Sequence, residues 1–558
     1  MKDPMNETFS VAPDGERFPL PTAADYQKEF ERLSKQVEKE RERGREIVVV
    51  LGLGFVGAVM AAVVADAKAD GTGEPTMFVI GLQRPSTRSY WKIPYINRGI
   101  PPVEADDPAV PDLIQRCVKE TQTLTATFTY DALSLADVVI VDIQCDFLKE
   151  ELGNVRSGTA DVSALEESFR VIGRHVPPHS LVLIETTVPP GTTEYIAYPL
   201  IKKAMEARGI HSEPFIAHSF ERVMPGSKYV SSIRQMWRVC SGINEASRER
   251  VVAFLSKVID VKGYPLTVLD RPIESETCKI VENSYRATLL AFTHEWSTFC
   301  ERNGVDLVKV LGAIKMRPTH SNILFPGPGI GGYCLPKDGG LGIWAYKRLM
   351  GFEDEVFRMT PLAIDVNDTR ALHAAELVRD ALRNMGKVVA GSKIAVLGAS
   401  YREDVGDTRY SGSELLVRKL AEMGAEVRVH DPYVRHWWEF KKQESYPATG
   451  RSLSRFFRNQ EGLCSLEVQK ELDPCLEGAD AVVVAVRHRP YLALDPDEVC
   501  RMSGGPVAVI DCFGVLDDAK IRRYFELGCE VKGLGRGHVK RIKDEVRVRQ
   551  QYQRSFIR

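Results

Sequence analysis

The stretch Ile47-Val-Val-Val-Leu-Gly52-Leu-Gly54-Phe55-Val56-Gly57 decides the fold of the first half of the chain. An apolar strand runs directly into a Gly-x-Gly-x-x-Gly turn, and an Ala- and Val-rich helix continues to about Ala67. This is the fingerprint of a dinucleotide-binding βαβ unit: the first glycine makes the turn, the second admits a pyrophosphate, and the third permits close helix packing. The pyrophosphate would lie at the helix amino terminus, so Gly52, Gly54, Phe55, Val56 and Gly57 are predicted cofactor contacts.

The next strand, Met77 to Gly81, is expected to end beside the adenosine ribose of that cofactor. An acidic residue usually holds the ribose 2′-hydroxyl there, but this chain has Gln83 and Arg84 after Leu82. Gln83 can bond a hydroxyl, whereas Arg84 can accept a 2′-phosphate or stack on adenine. The residues themselves therefore leave the choice between NAD and NADP open.

Strands and helices continue to alternate along the chain. Further apolar strands lead to Asp142 and Glu185, and Val239–Gly242 is expected as the last strand of this sheet. After a helical segment over about 273–385, strand-and-turn units resume at Gly391. The pattern predicts an α/β protein with two Rossmann-like, doubly wound parallel-sheet domains joined by a central helical region.

The expected domains are a 1–45 N-terminal arm and helix, a 46–262 NAD-binding Rossmann domain, a 263–388 central helical domain with the cysteine loop, and a 389–558 C-terminal Rossmann-like domain. Residues 1–21 are polar and Pro-rich, so we expect a loose arm, followed by a helix over 23–43 that Thr22 caps. Residues 435–475 lack a clean period and are expected to be an insertion. The basic tail after Gly537 is expected to be a surface appendage, and contact with a neighbouring subunit is the alternative.

Composition excludes several classes of function. The 558-residue chain is 44% hydrophobic and 27% charged, and its formal net charge of −2 argues against nucleic acid or an acidic membrane surface as a partner. No apolar run reaches membrane-spanning length, and the amino terminus lacks the pattern of a secretory signal. The eleven cysteines are scattered without a Cys-x-x-Cys pair. We therefore expect a cytoplasmic protein without a metal or disulfide framework.

A glycine-rich loop carries a cysteine that is a candidate nucleophile: Phe325-Pro-Gly327-Pro-Gly329-Ile-Gly331-Gly-Tyr-Cys334-Leu-Pro-Lys337-Asp338. Its backbone can approach a ligand closely because the glycines have no side chains. A thiol that is followed by a cation and a carboxylate can be an activated nucleophile with a partner that activates water. The alternative is a tight turn with a buried structural cysteine.

Polar residues on one predicted helix fit this chemistry. Glu276, Lys279 and Asn283 are spaced i, i+3 and i+7 and therefore project from one helix face. An ammonium and an amide one turn apart can donate together to a developing oxyanion. The opposite face is apolar, with Val281, Tyr285, Leu289 and Phe292. Two polar turns follow strands of the first sheet, around Thr187 and around Glu221, and the Glu221 carboxylate can act as a general base.

Together these segments resemble the UDP-glucose/GDP-mannose dehydrogenase family over about Ile47 to Gly537. The matching motifs occur in the family's order: Gly52-x-Gly54-x-x-Gly57, Thr187-Val-Pro-Pro-Gly191, Glu221-Arg-Val, Glu276-x-x-Lys279-x-x-x-Asn283, Gly331-Gly-x-Cys334-x-Pro-Lys-Asp338 and Gly406-Asp-Thr-Arg409. The resemblance implies oxidation of C6 of a nucleotide-linked hexose to a carboxylate with two NAD⁺ per turnover. It also implies a homodimer or larger homo-oligomer, assembled through the central helices.

Residue by residue, the resemblance implies that Cys334 carries the sugar as a thiohemiacetal and then as a thioester. Lys279 and Asn283 would stabilise the oxyanions, Asp338 would activate the hydrolytic water, and Glu221 with Thr187 would serve as base or water relay. The implied substrate contacts are Glu221, Arg222, Lys279, Asn283, Phe325, Gly327, Gly329, Gly331 and Arg402. The further implied cofactor contacts are Thr187, Cys334, Lys337 and Arg409.

The sequence departs from the family pattern near the cofactor, at Gln83, at Gln144-Cys-Asp146 and at Tyr333. NAD is expected from the resemblance, and the Pro-Gly-Pro-Gly-x-Gly-Gly form points to members that act on UDP-N-acetylhexosamines, with GDP-hexoses as an alternative. Two other classes stay open. One is a catalytically silent nucleotide-sugar-binding protein, and the other is a two-electron 3-hydroxyacid or 6-phosphogluconate-type dehydrogenase, which needs no thiol.

Overall fold

The computed structural model describes residues 9–68, 73–223, 226–440 and 453–556 of the chain. Two large β-sheets are joined by a group of central helices, which confirms the expected α/β architecture with two Rossmann-like domains. Two small antiparallel sheets accompany them: β1 (Phe9–Val11) with β2 (Arg17–Pro19), and β7 (Asp146–Leu148) with β8 (Thr159–Asp161).

The first large sheet has eight strands. In spatial order they are β12 (Thr267–Leu269), β11 (Val239–Gly242), β10 (Phe215–His218), β9 (Leu181–Ile184), β6 (Val138–Val141), β3 (Glu46–Leu51), β4 (Met77–Leu82) and β5 (Leu124–Thr127). All neighbours are parallel except β10 and β11. The prediction that Val239–Gly242 is the last strand is wrong, because Thr267–Leu269 pairs with it in parallel.

Helices cover both faces of this sheet, which is why its central strands are apolar on both sides. They are α1 (Ala23–Glu42), α2 (Phe55–Ala65), α3 (Lys92–Arg98), α4 (Ala109–Gln115), α5 (Ser163–His175), α6 (Tyr198–Glu206), α7 (Tyr229–Arg234) and α8 (Glu245–Val258). The helix α1 begins after Thr22 as predicted, and its Leu33 and Val37 side chains are buried against the sheet.

The amino-terminal arm is a hairpin, not the loose segment that its polar, Pro-rich composition predicts. Its strands β1 and β2 pair from Phe9 with Pro19 to Val11 with Arg17. Ala12 and Phe18 are buried in a small cluster with Trp91 and Tyr95 of the first domain. Apolar contacts that are distant in sequence therefore order this arm, and residues 1–8 of it lie outside the described part of the chain.

The central region contains α9 (Pro272–Asn303), α10 (Leu307–Lys315), α11 (Asp338–Trp344) and α12 (Met359–Asn384). The helix α9 packs its polar face inward: Glu276, Lys279 and Asn283 are all buried. Its apolar face is exposed instead, and the fractions exposed are 59% for Val281, 53% for Tyr285 and 49% for Phe292. The spacing thus identified the two faces correctly, and the structure places the polar one inside the protein.

The second large sheet has six parallel strands. In spatial order they are β15 (Val468–Gln469), β14 (Glu426–His430), β13 (Lys393–Leu397), β16 (Ala481–Val484), β17 (Ala508–Asp511) and β18 (Glu530–Gly533). The helices of this domain are α13 (Gly412–Glu422), α14 (Leu472–Leu476), α15 (Arg489–Leu492), α16 (Pro496–Ser503), α17 (Asp518–Glu526) and α18 (Val539–Phe556).

Two expectations for the C-terminal domain change in detail. The segment 435–475 contributes the edge strand β15 and the helix α14, while its residues 441–452 lie outside the described part of the chain. The basic tail forms α18, and its Val539, Ile542 and Val546 side chains are buried in the domain core. The tail is therefore part of the domain, because one apolar stripe of an otherwise basic helix packs inward.

Candidate active site

The glycine fingerprint has the geometry of a dinucleotide site. Gly52 has a φ of +107°, and a Cβ there would meet the Asp142 carbonyl oxygen at 2.5 Å. A Cβ on Gly57 would lie 1.9 Å from the Gly52 oxygen, so this glycine permits the close approach of α2 to the turn. By contrast, no described heavy atom lies within 4 Å of a Cβ built on Gly54. The turn is thus packed on the protein side and open at the position where a pyrophosphate would approach.

Gln83, which follows β4, and Lys92, a residue that the sequence patterns did not single out, both bond the backbone of Leu53 in the glycine turn. Gln83 Oε1 accepts a hydrogen bond from Leu53 N at 2.9 Å, and Lys92 Nζ donates to Leu53 O at 3.1 Å. Burial lowers the pKa of Lys92 to about 8. Arg84 lies next to Gln83 and is exposed. The sequence contains many lysines, and no local pattern distinguishes Lys92 from the others. Only the fold shows that Lys92 lies beside the glycine turn.

Cys334 lies immediately before α11, at the end of the glycine loop. Lys337 N and Asp338 N donate to its carbonyl oxygen at 3.1 and 3.0 Å, so the turn fixes the backbone on which the thiol is carried. The side chain is half-buried. Burial, with the charge of Asp338 as the next cause, raises the pKa of the Cys334 thiol to about 11, while the charge of Lys279 opposes that rise. The thiol is therefore protonated at neutral pH until a base or a positive charge assists it.

Asp338 connects the cysteine loop to α9. Its Oδ1 accepts from Lys337 Nζ at 2.8 Å, and its Oδ2 accepts from Asn283 Nδ2 at 2.6 Å. The carboxylate is fully buried, and Lys337 is 1% exposed. Burial works to lower the pKa of Lys337, but the negative charge of Asp338 raises it above its usual range. The predicted residues Asn283, Lys337 and Asp338 therefore form one buried polar network beside Cys334.

Lys279 joins the same site to the turn that carries Glu221. Its Nζ donates to Glu221 O at 2.9 Å and lies 3.8 Å from Glu221 Oε1. Burial works to lower the pKa of Lys279, but the charges of Glu221 and of Cys334 raise it. Lys279 is therefore an ammonium that contacts the base candidate Glu221 and interacts electrostatically with the thiol. Next to it, Arg222 forms an ion pair with Glu282, with Nε 3.1 Å from Oε2.

The third member of the polar face, Glu276, has a different task. Its carboxylate accepts hydrogen bonds from Gly191 N, from Thr193 N at 2.8 Å and from Thr193 Oγ1 at 2.6 Å. Burial raises the pKa of Glu276 to about 7. These bonds fix the Thr186–Thr193 loop, in which Thr187 is buried at the carboxyl end of the sheet. Glu276 is thus a positioning residue for the loop that carries Thr187.

Buried charges that the sequence reasoning missed lie beneath Glu221. Arg238 forms an ion pair with Glu185, and its Nε donates to Phe220 O at 3.3 Å. Asp142 follows the neighbouring strand β6 and is half-buried, with Oδ2 out of contact with solvent, and burial together with the charge of Glu185 raises its pKa well above its usual range. Arg238 therefore holds the backbone directly before Glu221 against the end of β9.

The C-terminal domain reaches this site through Arg409 and through the glycine loop. The Arg409 guanidinium lies 4.6 Å from the ring centre of Phe55 and 5.7 Å from that of Tyr333. Asp407 holds it, with Oδ1 accepting from Nε at 2.9 Å and Oδ2 accepting from Nη2 at 2.6 Å. This cation lies between the dinucleotide turn and the cysteine loop, where the resemblance expects a cofactor contact.

The loop glycines permit close packing on the C-terminal domain. A Cβ on Gly327 would lie 2.4 Å from the Phe513 ring, and one on Gly331 would lie 2.4 Å from Tyr401 Cβ. A Cβ on Gly329 would lie 2.7 Å from the Gly412 backbone. Phe325 packs against the cluster around Leu307 and Leu311, away from these contacts. The glycines are thus required by packing between domains, whether or not a ligand also uses their backbone.

Arg402 lies next to this interface with unused donor capacity. Its Nε is buried and has no hydrogen-bond partner among the described residues. Buried donors are normally paired, so an unpaired guanidinium nitrogen here fits an anionic ligand. Tyr333, one of the departures from the family pattern, donates its hydroxyl to Cys145 O at 3.1 Å and to Asp146 Oδ1. The unusual Gln144-Cys-Asp146 segment and Tyr333 therefore support each other.

A glycine-rich βαβ unit, a second Rossmann-like domain and a thiol loop between them are the parts of a dinucleotide-dependent dehydrogenase. The chain belongs to the UDP-glucose/GDP-mannose dehydrogenase family, and it is therefore an NAD-dependent dehydrogenase. The NAD-binding domain of that family matches residues 46–259, the central domain matches 273–369, and the UDP-binding domain matches 395–518. No described helix is both long enough and apolar enough to cross a bilayer.

Similar proteins share the whole architecture. The UDP-N-acetyl-D-mannosamine dehydrogenase of Methanococcus maripaludis is 26% identical over 506 residues, which cover 90% of this chain and 100% of that protein. The enzyme of the same name from Pyrococcus horikoshii is 26% identical over 497 residues, which cover 88% and 100%. The crystal structure of NDP-N-acetyl-D-galactosaminuronic acid dehydrogenase from Methanosarcina mazei Go1 is 30% identical, with a TM-score of 0.70 over 90% of this chain and 98% of that one.

Proposed function

We propose that this protein oxidises the C6 hydroxyl of a UDP-linked N-acetylhexosamine or hexose to the carboxylate, with Cys334 as the covalent nucleophile. The observation that carries the proposal is the grouping of a half-buried thiol with the Lys279 ammonium and the Asn283–Asp338 pair. A dehydrogenase that stops at the aldehyde has no use for that thiol. NAD, when bound, accepts one hydride in each of the two oxidations.

The first oxidation needs a base for the C6 hydroxyl proton. Glu221 is suited to this role because its carboxylate is next to Lys279 and its turn is fixed by Arg238. Thr187 lies on the adjacent strand-end loop, where its hydroxyl can relay the proton. The Lys279 ammonium stabilises the negative charge that develops on the C6 oxygen.

Covalent capture of the aldehyde then forms a bond between Cys334 Sγ and C6 and breaks the C=O π bond, and the oxygen takes up the thiol proton to complete the thiohemiacetal. The new oxyanion is stabilised by Lys279 and by the amide of Asn283, which are held one helical turn apart on α9. Loss of the second hydride converts the thiohemiacetal into a thioester. Water attacks its carbonyl carbon and the C–S bond breaks, which returns the thiolate to its protonated state.

Asp338 is placed to orient the attacking water. Both of its oxygens accept one hydrogen bond each within the protein, and a carboxylate oxygen has capacity for a second. Lys337 and Asn283 keep the carboxylate fixed during the reaction. The fixed carboxylate can therefore hold a water on the side of the thioester without moving.

The nucleotide part of the substrate is assigned to the face between the glycine loop and the C-terminal domain. The unpaired Nε of Arg402 fits a phosphate oxygen, and the backbone of Phe325–Gly331 runs along this face. A UDP-N-acetylhexosamine is favoured because the similar proteins from Methanococcus and Pyrococcus are named for such a sugar. The exposed apolar face of α9 is assigned to a second copy of the chain, since large apolar patches mark interfaces.

A panel of UDP- and GDP-linked hexoses and N-acetylhexosamines, each with NAD⁺, tests the proposal. The expected result is two NADH formed per sugar consumed, with a UDP-N-acetylhexosamine as the best substrate and a uronate as the product. One NADH per sugar would contradict the covalent scheme and support a two-electron dehydrogenase. Binding of a nucleotide sugar with no NADH formed in the whole panel would support a silent binding protein.

A further inference from the structure

The segment before the NAD-binding domain contacts the part of the first domain that frames the cofactor's adenosine. The family's domain begins at residue 46, whereas the described chain begins at residue 9. We call residues 9–42 the amino-terminal brace; it consists of the β1–β2 hairpin and of α1. We propose that this brace positions the adenosine-binding turn between β4 and α3, and so sets the affinity for the dinucleotide. The inference rests on the proposed NAD site and extends it to a segment outside the family's domain.

The hairpin holds the start of α3 by polar and apolar contacts. Ser10 is completely buried, and its Oγ accepts a hydrogen bond from Trp91 N at 3.1 Å. Phe18 packs edge-on against Tyr95, with ring centres 5.9 Å apart. Tyr95 in turn donates its hydroxyl to Asp14 Oδ2 at 2.6 Å. Hairpin and helix therefore share one small core.

The end of α3 is fastened to the same hairpin. The Arg98 guanidinium bonds both carboxylate oxygens of Glu16, at 2.8 Å each. This ion pair is exposed, so it helps to orient α3 on the hairpin but adds little to the stability of the protein. With contacts at Trp91, Tyr95 and Arg98, the hairpin runs along the whole length of α3.

Trp91 also bonds the turn that follows Gln83 and Arg84. Its indole Nε1 donates to Arg88 O at 3.1 Å, and Ser89 Oγ donates to Arg84 O at 2.9 Å. Lys92, the next residue, donates to Leu53 O in the glycine turn at 3.1 Å. Trp91 thus connects the hairpin to the backbone at Arg88, and Ser89 holds the backbone at Arg84 from within the same turn.

The helix α1 supports the neighbouring strand end. Glu29 Oε1 accepts from Thr127 Oγ1 at 2.8 Å, and Thr127 O accepts from Gln83 N at 3.0 Å. Tyr26 packs edge-on against Phe128, with ring centres 5.0 Å apart, and Phe128 contacts Tyr90 at 5.9 Å. The brace therefore reaches Gln83 from a second side, by contacts independent of the hairpin.

A turn that is already ordered loses less entropy when a ligand binds to it, and this gain appears as affinity. The nicotinamide end depends on other segments, those around Thr187, Glu221 and Cys334. Loosening the hairpin should therefore weaken cofactor binding without changing the rate of the chemical steps at saturating cofactor. Binding of the nucleotide sugar, which uses the opposite domain, should not change.

The test compares the full-length protein with the double variant Ser10→Ala/Phe18→Ala and with the single variant Ser10→Ala. The matched control is Lys35→Ala, which changes an exposed residue of α1. Calorimetry on the enzyme without sugar gives the Kd for NAD⁺ and for ADP-ribose, and steady-state kinetics give KM and kcat. We expect the double variant to raise both Kd values and the KM for NAD⁺ by about fivefold or more, and Ser10→Ala to raise them by about two- to threefold. The kcat, the Kd for the nucleotide sugar and all values for Lys35→Ala should stay unchanged.

Hydrogen exchange over residues 9–19 verifies that the double variant loosens the hairpin. Unchanged Kd values in a variant with increased exchange would overturn the proposal, as would equal losses in kcat and in sugar binding. If the double variant does not fold, Ser10→Ala decides alone, and unchanged Kd values in it would overturn the proposal. Failure of the wild-type protein to bind NAD⁺ would instead refute the proposed function, so the two failures are distinguishable.

Discussion

Asn283 donates its side-chain amide to Asp338 at 2.6 Å, which connects the oxyanion candidate directly to the water-activating candidate. The two residues come from α9 and α11, so the bond also locks the cysteine loop to the long central helix. One N–H of the amide is used in this bond, and the second is left for the sugar oxygen. In the proposed mechanism, Asn283 would thus both fix the Asp338 carboxylate and contact the sugar oxygen.

Replacing Asn283 by Asp should remove this donor and place two carboxylates in contact. We expect kcat to fall by about 10²–10³-fold, because an oxyanion donor is lost and the negative charge opposes the oxyanion. The melting temperature of Asn283→Asp should be lower at pH 8 than at pH 5.5, since the carboxylates repel when both are ionised. The control Asn283→Ala should lose activity without that pH dependence. Wild-type activity in Asn283→Asp would contradict the assigned role.

The raised pKa of the Cys334 thiol predicts how its reactivity depends on pH. The thiol is neutral below its pKa of about 11 and becomes the reactive thiolate above it. Alkylation by iodoacetamide, followed by peptide mass spectrometry, should therefore be slow at pH 7.5 and rise roughly tenfold per pH unit. The exposed Cys464 serves as an internal reference in the same sample. Labelling of Cys334 as fast as Cys464 at pH 7.5 would contradict a half-buried, protonated thiol.

The same assay tests the electrostatic interaction between Lys279 and Cys334. The ammonium lowers the pKa of the thiol, so Lys279→Met should raise it and slow the alkylation of Cys334 at every pH below about 11. The labelling of Cys464 should be the same in both proteins. Unchanged Cys334 labelling in Lys279→Met would show that the two groups do not interact.

We expect cofactor choice to depend on the charge at position 83. The turn carries Gln83 and the exposed Arg84, with no carboxylate to repel a 2′-phosphate. NAD⁺ is expected as the working cofactor, and Gln83→Asp should raise the ratio of the KM for NADP⁺ to that for NAD⁺ by about tenfold or more, because like charges are brought together. The neutral Gln83→Asn is the matched control. An unchanged ratio in Gln83→Asp would place the ribose elsewhere.

The exposed apolar face of α9 predicts the assembly state. Phe292 and Trp296 are 49% and 47% exposed on this helix, and a charge there would be unpaired in an apolar interface. Phe292→Asp should therefore convert a dimer or larger oligomer into monomers, as measured by light scattering after gel filtration. The control is Val388→Asp, which changes an apolar residue that lies outside α9 and is 72% exposed. This variant should leave the mass unchanged. A wild-type monomer would contradict the assignment.

Local patterns were enough to predict most of the architecture. The strand, the glycine turn and α2 are one continuous motif, and the polar face of α9 follows from residue spacing alone. The grouping of Cys334, Lys279, Asn283, Asp338 and Glu221 also agrees with the structure, because the order of the motifs identified the family. The sequence could not predict which face of α9 lies inside the protein. A helical pattern distinguishes two faces but does not show what covers each of them.

The features that the sequence did not predict depend on distant partners. Phe18 and Ser10 order the hairpin through Trp91 and Tyr95, about eighty residues away in sequence. Strand β12 is short and mostly exposed, so it has no apolar alternation to detect. Lys92 and Arg238 are single charged residues whose partners, Leu53 O and Glu185, become neighbours only in the folded sheet. Such contacts are properties of the topology rather than of any local segment.

The central claim is that the sulfur of Cys334 carries the half-oxidised sugar. The most direct test is a rapid-quench single turnover of Cys334→Ser with the best nucleotide sugar and NAD⁺, in which uronate is quantified by mass spectrometry. Uronate formation should fall by about a hundredfold or more, while the Kd for the nucleotide sugar stays within about twofold of wild type, because only the nucleophile is lost. Formation of uronate by Cys334→Ser at the wild-type rate would contradict the account.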